Sequence, residues 1–169
     1  MLLIYVMKQP LRVVFDTNIY GQIAEDATPE LFSKIEASEN IIIYGLSIVR
    51  KELRDTPKSA LRNGRKFRNL LLTYYDKLTG GHELQTTKLA ETLAKEYLDS
   101  YNGGISKRKL ANDFLIVASA TLNSLDILVS DDNHSMFSRN AIEAYRKVNG
   151  QNGLKMPNFY SLKQIAKLL

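Results

Sequence analysis

Apolar residues fall in two kinds of run along this chain. Residues 12–15 (RVVF), 41–46 (IIIYGL) and 127–129 (ILV) are short and unbroken. Such runs predict strands buried on both faces, as in a parallel sheet. Longer stretches carry the helical period instead. Phe67, Leu70, Leu71, Tyr74, Tyr75 and Leu78 recur at three- and four-residue spacing up to Gly80-Gly81, and Ala90, Leu93, Ala94, Tyr97, Leu98 and Tyr101 do the same up to Gly103-Gly104. The spacing predicts two amphipathic helices, expected to pack as a helical hairpin. Their tyrosines are read as core rather than as platforms for stacking bases, because a stripe at helical period is usually buried.

The remaining elements follow from start and stop signals. Thr28-Pro29-Glu30 has the form of a helix start, with Leu31, Phe32 and Ile35 as its buried stripe. Ser47 is placed to cap a short helix that carries Ile48, Val49 and Glu52 on one face and breaks at Pro57. Asp113 stands at the expected beginning of a helix capped by Ser106 or Asn112, followed by Leu115, Ile116, Ala118, Ala120 and Leu122. Phe137, Ala141, Ile142, Tyr145 and Val148 mark another helix, residues 153–157 an edge strand, and residues 161–169 a closing helix. Strands alternating with helices predict an α/β protein of three α/β/α layers around a central parallel sheet. A single domain over residues 1–169 accounts for the length, with residues 1–10 as an N-terminal extension or edge segment.

Composition narrows the picture. With 44% hydrophobic and 24% charged residues the chain is that of an ordinary globular protein. The apolar opening 2–7 is too short to span a membrane and has no basic residue ahead of it, so a cytoplasmic protein without a membrane partner is expected. The absence of cysteine fits a reducing compartment. Net charge is +5, and its placement says more than its size. Lys58, Arg62, Arg65, Lys66, Arg68 and Lys77 crowd one segment, for which a solvated face and an RNA-binding face are equally consistent; Lys107, Arg108 and Lys109 precede Asp113 directly, which favours RNA.

Four acids stand where an apolar run ends or an apolar helix carries them: Asp16, Glu52, Asp113 and Asp132. In a parallel α/β sheet, ligands bind beyond the carboxyl ends of the strands where strand order reverses, so the four can meet in one crevice. Clustered carboxylates repel one another, and a hard divalent cation relieves that repulsion. With no cysteine and only His82 and His134, a zinc site of nitrogen and sulfur ligands is disfavoured. No Gly-rich phosphate loop is present, and the second acid of a haloacid-dehalogenase phosphatase is replaced by Asn18.

With these residues in place the chain resembles the PIN-domain ribonucleases, the family of VapC-like toxins and of nucleases in ribosomal RNA maturation. The resemblance runs through a strand-Asp-Thr-Asn turn at Asp16, Thr17 and Asn18, a Ser-x-x-x-x-Glu-Leu helix at Ser47 and Glu52, an Asp-x-x-Ile-x-Ala-x-Ala helix at Asp113, and a strand-Ser-x-Asp turn at Ser130 and Asp132. It implies a PIN-like, 5′-nuclease-like fold and an Mg²⁺- or Mn²⁺-dependent endoribonuclease leaving a 5′-phosphate and a 3′-hydroxyl. Asp16, Asp113 and Asp132 are then the expected metal ligands and Glu52 a ligand or the orienter of the attacking water. Thr17, Asn18, Ser130 and Asp131 support them, and Lys107, Arg108, Lys109, Arg62, Arg65 and Lys66 contact RNA. Asp131 competes with Asp132 for the fourth position, which the Ser-x-Asp register gives to Asp132. A homodimer and a small antitoxin protein are the partners implied. Residues 133–137 and the long helical insert depart from a minimal toxin. The alternative is a catalytically inactive PIN-like RNA-binding or scaffold domain.

Overall fold

The computed structural model describes residues 9–25 and 30–169. Most of the N-terminal extension, and the Thr28-Pro29 helix start, lie outside the described residues. Five strands, β1 (Leu11–Phe15), β2 (Ile41–Leu46), β5 (Glu83–Leu84), β6 (Ile127–Val129) and β7 (Asn158–Tyr160), form a sheet of order β5-β2-β1-β6-β7 in which every neighbouring pair is parallel. Val13, Val14 and Phe15 are fully buried, as expected of a central parallel strand covered on both faces. A separate two-stranded hairpin joins β3 (Leu61–Arg62) to β4 (Arg65–Lys66).

Helices α1 (Thr17–Glu25), α2 (Glu30–Ala37), α3 (Ser47–Asp55) and α4 (Phe67–Thr79) pack as one group, and α5 (Lys88–Ser100), α6 (Lys107–Leu122) and α7 (Arg139–Asn152) as another. A short α8 (Leu162–Ile165) closes the chain behind a capping box at Ser161 and Gln164. The predicted α/β/α layering is thus present. Between α5, α6 and α7, Tyr97, Phe114 and Tyr145 meet edge to face, with Tyr97–Tyr145 centroids 4.9 Å apart. Tyr75 and Tyr97 are core, as their spacing predicted.

Several expectations are corrected. The helices α4 and α5 do not pair as a hairpin: β5 stands between them in the chain, α4 packs on α1, α3 and β2, and α5 packs on α6 and α7. Ser47 does not cap α3; its hydroxyl accepts from Thr86 N at 2.9 Å and thereby ties the start of α3 to the chain beyond β5. Asp113 lies in the second turn of α6, not at its beginning, because the helix already starts at Lys107. The edge strand comes at Asn158–Tyr160, since residues before it are spent ending α7 at Gly153, which has φ +64°.

One glycine matters for how the site is held. A Cβ on Gly45 would stand 2.2 Å from Tyr75 Oη. Tyr75 Oη donates to the Leu46 carbonyl (3.2 Å) or the Glu83 carboxylate (2.8 Å) and so locks α4 against the end of β2. Gly45→Ala is therefore expected to cost about 1–3 kcal/mol by overpacking. Urea titration should show a lower midpoint with an unchanged slope.

Candidate active site

Strand order reverses between β1 and β6, because the chain runs outward from β1 through β2 to β5 and then returns to the other side of β1. The two strand ends are tied by Asp16 N donating to the Val129 carbonyl at 2.9 Å. Just beyond them the Ser130 hydroxyl, in a residue 1% exposed, acts as a hub. It donates to Asp16 Oδ2 (2.7 Å) and accepts from Asn18 Nδ2 (3.1 Å) and from Asp132 N (3.1 Å). The Asp-Thr-Asn turn and the Ser-x-Asp turn are therefore one unit.

The helices bring the other two acids. Glu52, five residues into α3, accepts from the Thr17 hydroxyl and from Asn112 Nδ2, the latter at 2.7 Å. Asn112 is next to Asp113 on α6, so Glu52 joins α1, α3 and α6. Ser135 completes the chain of contacts, its hydroxyl lying 2.6 Å from Asp113 Oδ2 and also against Asp132 Oδ2. A hydroxyl has one proton to donate. One of these carboxyls must therefore carry a proton of its own, or the two oxygens press on an acceptor.

The four acids share an uninterrupted path, Glu52 to Thr17, Asp16, Ser130, Asp132, Ser135 and Asp113. Motif spacing alone does not single out Ser135, although the Asx turn in which Asp132 Oδ1 accepts from His134 N and Ser135 N is a recognisable signal for it.

Electrostatics reflect this crowding. Burial pushes the Asp16 carboxyl up to about 7; bonds from Ser130 and Thr17 oppose the rise, and the charges of Asp113 and Glu52 add to it. Asp113 is raised to about 6, first by burial, against the Ser135 hydrogen bond and with the charges of Asp132 and Glu52. Asp132 goes the other way. Burial is its largest single influence and raises it, but the bonds from Ser135 and His134 together leave it below the ordinary carboxylate value.

The donor chemistry suits a hard divalent cation: carboxylates loaded toward protonation, and Asn18 Oδ1, which is shielded from solvent and has no hydrogen-bond partner among the described residues. As placed, no three acidic or imidazole side chains among the described residues stand close enough to hold an ion between them. The Ser135 hydroxyl bridges the Asp113 and Asp132 carboxylates instead, Thr17 links Glu52 through its hydroxyl to Asp16 through its backbone N–H, and Ser130 links the Asp16 carboxylate to the Asp132 backbone N–H. Asp131 turns away, its carboxylate accepting from Leu162 N at 3.3 Å at the start of α8, so Asp132 is the acid that faces the others. His134 is exposed.

Lys107, Arg108 and Lys109 form the first turn of α6, where the helix dipole disfavours positive charge. Lys109 is one turn before Asp113 on the same face. Lys107 pairs with Asp99 at 3.4 Å on the exposed surface. Arg62 is engaged twice, with Glu25 at 3.1 Å and over the Phe67 ring, while Arg65 and Lys66 extend from the hairpin. Among the described residues no helix is long and apolar enough to cross a membrane.

No protein-family model matches the chain, and no curated protein does. Solved structures do. FitAcB from Neisseria gonorrhoeae is similar with a TM-score of 0.58 at 18% identity, over 89% of this chain and 98% of that one. VapBC2 from Rickettsia felis, bound to a DNA fragment from its promoter, matches with a TM-score of 0.56 at 17% identity, over 89% and 97%. FitAB bound to an IR36 DNA fragment gives 0.57 at 18%, over 89% and 94%. What is shared at such identity is the fold, a PIN-like α/β architecture.

Proposed function

We propose that this protein is a divalent-metal-dependent endoribonuclease. One observation carries the reading: Asp16, Glu52, Asp113 and Asp132, far apart in sequence, join in one hydrogen-bonded path beyond the carboxyl edge at the point of strand reversal. Asp16, Asp113 and Asp132 would hold Mg²⁺ or Mn²⁺, with Ser135 releasing one of the two carboxylates it bridges. A bound cation supplies charge stabilisation at the scissile phosphate and lowers the pKa of a coordinated water. Glu52, fixed by Thr17 and Asn112, orients the attacking water. Lys109 and Arg108 draw the phosphates to an otherwise acidic crevice.

The test is incubation of the full chain with RNA in Mg²⁺, in Mn²⁺ and in chelator. Cleavage is expected with either metal, absent in chelator, with 5′-phosphate ends. RNA retained but uncut under all three conditions would favour the inactive RNA-binding domain instead.

The structural similarity to VapBC2 and FitAB supports a narrower reading, in which the nuclease is the toxin of a toxin–antitoxin pair. It predicts growth arrest on expression, reversed by coexpressing a short frame immediately upstream. A homodimer is part of the same reading, and the mass of the isolated protein in solution decides it.

A further inference from the structure

The basic segment between Pro57 and Lys77 divides into engaged and free cations. Arg62 is held by Glu25 and Phe67, and Lys77 lies over the Phe32 ring. Lys58, Lys66 and Arg68 have no carboxylate partner among the described residues and, together with Asn69, line one concavity of about 250 Å³. Arg68 Nε is shielded from solvent without a hydrogen-bond partner among those residues, and its Nη1 makes only a 3.5 Å contact to the Arg54 carbonyl. A pocket lined by three cations with no counter-charge selects a small anion. Lys66, Arg68 and Asn69 belong to the N-terminal end of the 13-residue α4, which has no side-chain cap although the Phe67 N–H is taken by the Ala60 carbonyl, and the helix dipole adds to the preference.

Its position ties it to the acidic crevice. Tyr75 Oη anchors α4 to the Leu46 carbonyl at the end of β2, and Arg68 lies seven residues, about 10 Å of helix, toward the N-terminus of α4 from that anchor. The helix α3 runs antiparallel to α4, since Arg50 meets Asp76 while the Arg54 carbonyl meets Arg68. Glu52 lies two residues before Arg54, about 3 Å of helix rise from the level at which α3 meets Arg68. The pocket and Glu52 thus stand at similar height on neighbouring helices.

We propose that Lys58, Lys66, Arg68 and Asn69 form a phosphate subsite for the RNA strand whose scissile bond lies among the four acids. The inference rests on the nuclease reading for its substrate. It adds that one backbone phosphate a short way along the strand is gripped in a defined pocket rather than by a diffuse charged surface. Arg62 is not part of that grip.

The experiment measures binding of a labelled single-stranded RNA of about a dozen nucleotides, in chelator so that no cleavage intervenes, as a function of salt. For Lys58→Gln/Lys66→Gln, affinity should fall about tenfold at low salt. The slope of log K against log salt should shrink by roughly 0.7 for the one phosphate no longer neutralised. Both lysines are exposed, so an unchanged melting temperature certifies the fold. Lys66→Arg should bind as the parent does, and Lys155→Gln should leave binding unaltered. An unchanged slope and affinity in the double variant overturns the subsite. Loss of inorganic phosphate binding with RNA affinity intact overturns it in favour of a free-anion site, and loss of poly-glutamate binding alone overturns it in favour of an acidic protein partner. Failure of the nuclease reading shows separately, as absence of metal-dependent cleavage by the unmodified protein.

Discussion

Asp113→Asn is expected to lose RNA cleavage by a factor on the order of 10²–10³ or more while remaining folded. Asparagine keeps the shape of the side chain and still offers an oxygen to the Ser135 hydroxyl, so the contact that links α6 to the turn after β6 survives. What disappears is a negative charge that the crevice holds at a cost. Burial and the neighbouring charges of Asp132 and Glu52 raise Asp113 to about 6, so near neutral pH the native carboxylate is less comfortable than the unfolded one. The variant should therefore melt no lower than the parent at about pH 7.5. Full metal-dependent cleavage by Asp113→Asn would remove the assigned site, and a collapsed melting temperature would show that Asp113 is structural. Glu52→Gln separates the roles further: its amide oxygen can still accept from Asn112 while its amide nitrogen donates to the Thr17 hydroxyl, but it cannot act on water as a carboxylate, so kcat should drop with KM little changed.

The parts of this architecture that were legible in the sequence share a physical cause. Strands β1, β2 and β6 are unbroken apolar runs because both faces are covered, and their ends are punctuated by the residues that line the crevice. Helix α1 is hidden in the sequence because Asp16-Thr17-Asn18 looks like a turn and Gly21 interrupts the stripe of Ile19, Tyr20 and Ile23, although that stripe is buried. The β3–β4 hairpin turns at Asn63-Gly64, both with positive φ (49° and 73°), the strongest short hairpin signal. Three of its four strand residues, Arg62, Arg65 and Lys66, are cations and only Leu61 is apolar, so no strand pattern announced it. Two-residue β5 leaves no periodic trace at all, and without it α4 and α5 look like consecutive partners.

The candidate site was legible as a set of acids but not as a network. Charge at a strand end is visible in one dimension, whereas Ser135 matters only because α6 and the turn after β6 meet in space. The Lys58, Lys66 and Arg68 pocket likewise emerges only when the neighbouring cations Arg62 and Lys77 are seen to be engaged elsewhere.

Without added metal, the protein should lose stability as pH rises from about 4 to about 7, the reverse of ordinary acid denaturation. Asp16 and Asp113 titrate at about 7 and about 6 in the folded state, against 3.8 for an aspartate free of such surroundings. Between those values the folded chain binds more protons than the unfolded one, so the slope of unfolding free energy with pH is negative. A pKa raised by one corresponds to ~1.4 kcal/mol before the partial exposure of Asp113 and its coupling to Asp16 are discounted, which leaves a change of a few kcal/mol. Asp132, lowered rather than raised, contributes stability that is present above the ordinary carboxylate value and lost only as pH falls further, outside this window. For a chain of this size the fall corresponds to about 5–10 °C in melting temperature between pH 5 and pH 7.5. Mn²⁺ competes for the deprotonated oxygens, so at a concentration about one hundred times its dissociation constant it should restore ~2.7 kcal/mol at pH 7.5 and almost nothing at pH 5. Asp16→Asn and Asp113→Asn should each flatten the metal-free profile and reduce the Mn²⁺ response. A melting temperature that climbs steadily over the same pH range without metal, or one that Mn²⁺ raises equally at both ends of it, would mean that the carboxylates are not the strained, proton-loaded cluster on which the nuclease reading depends.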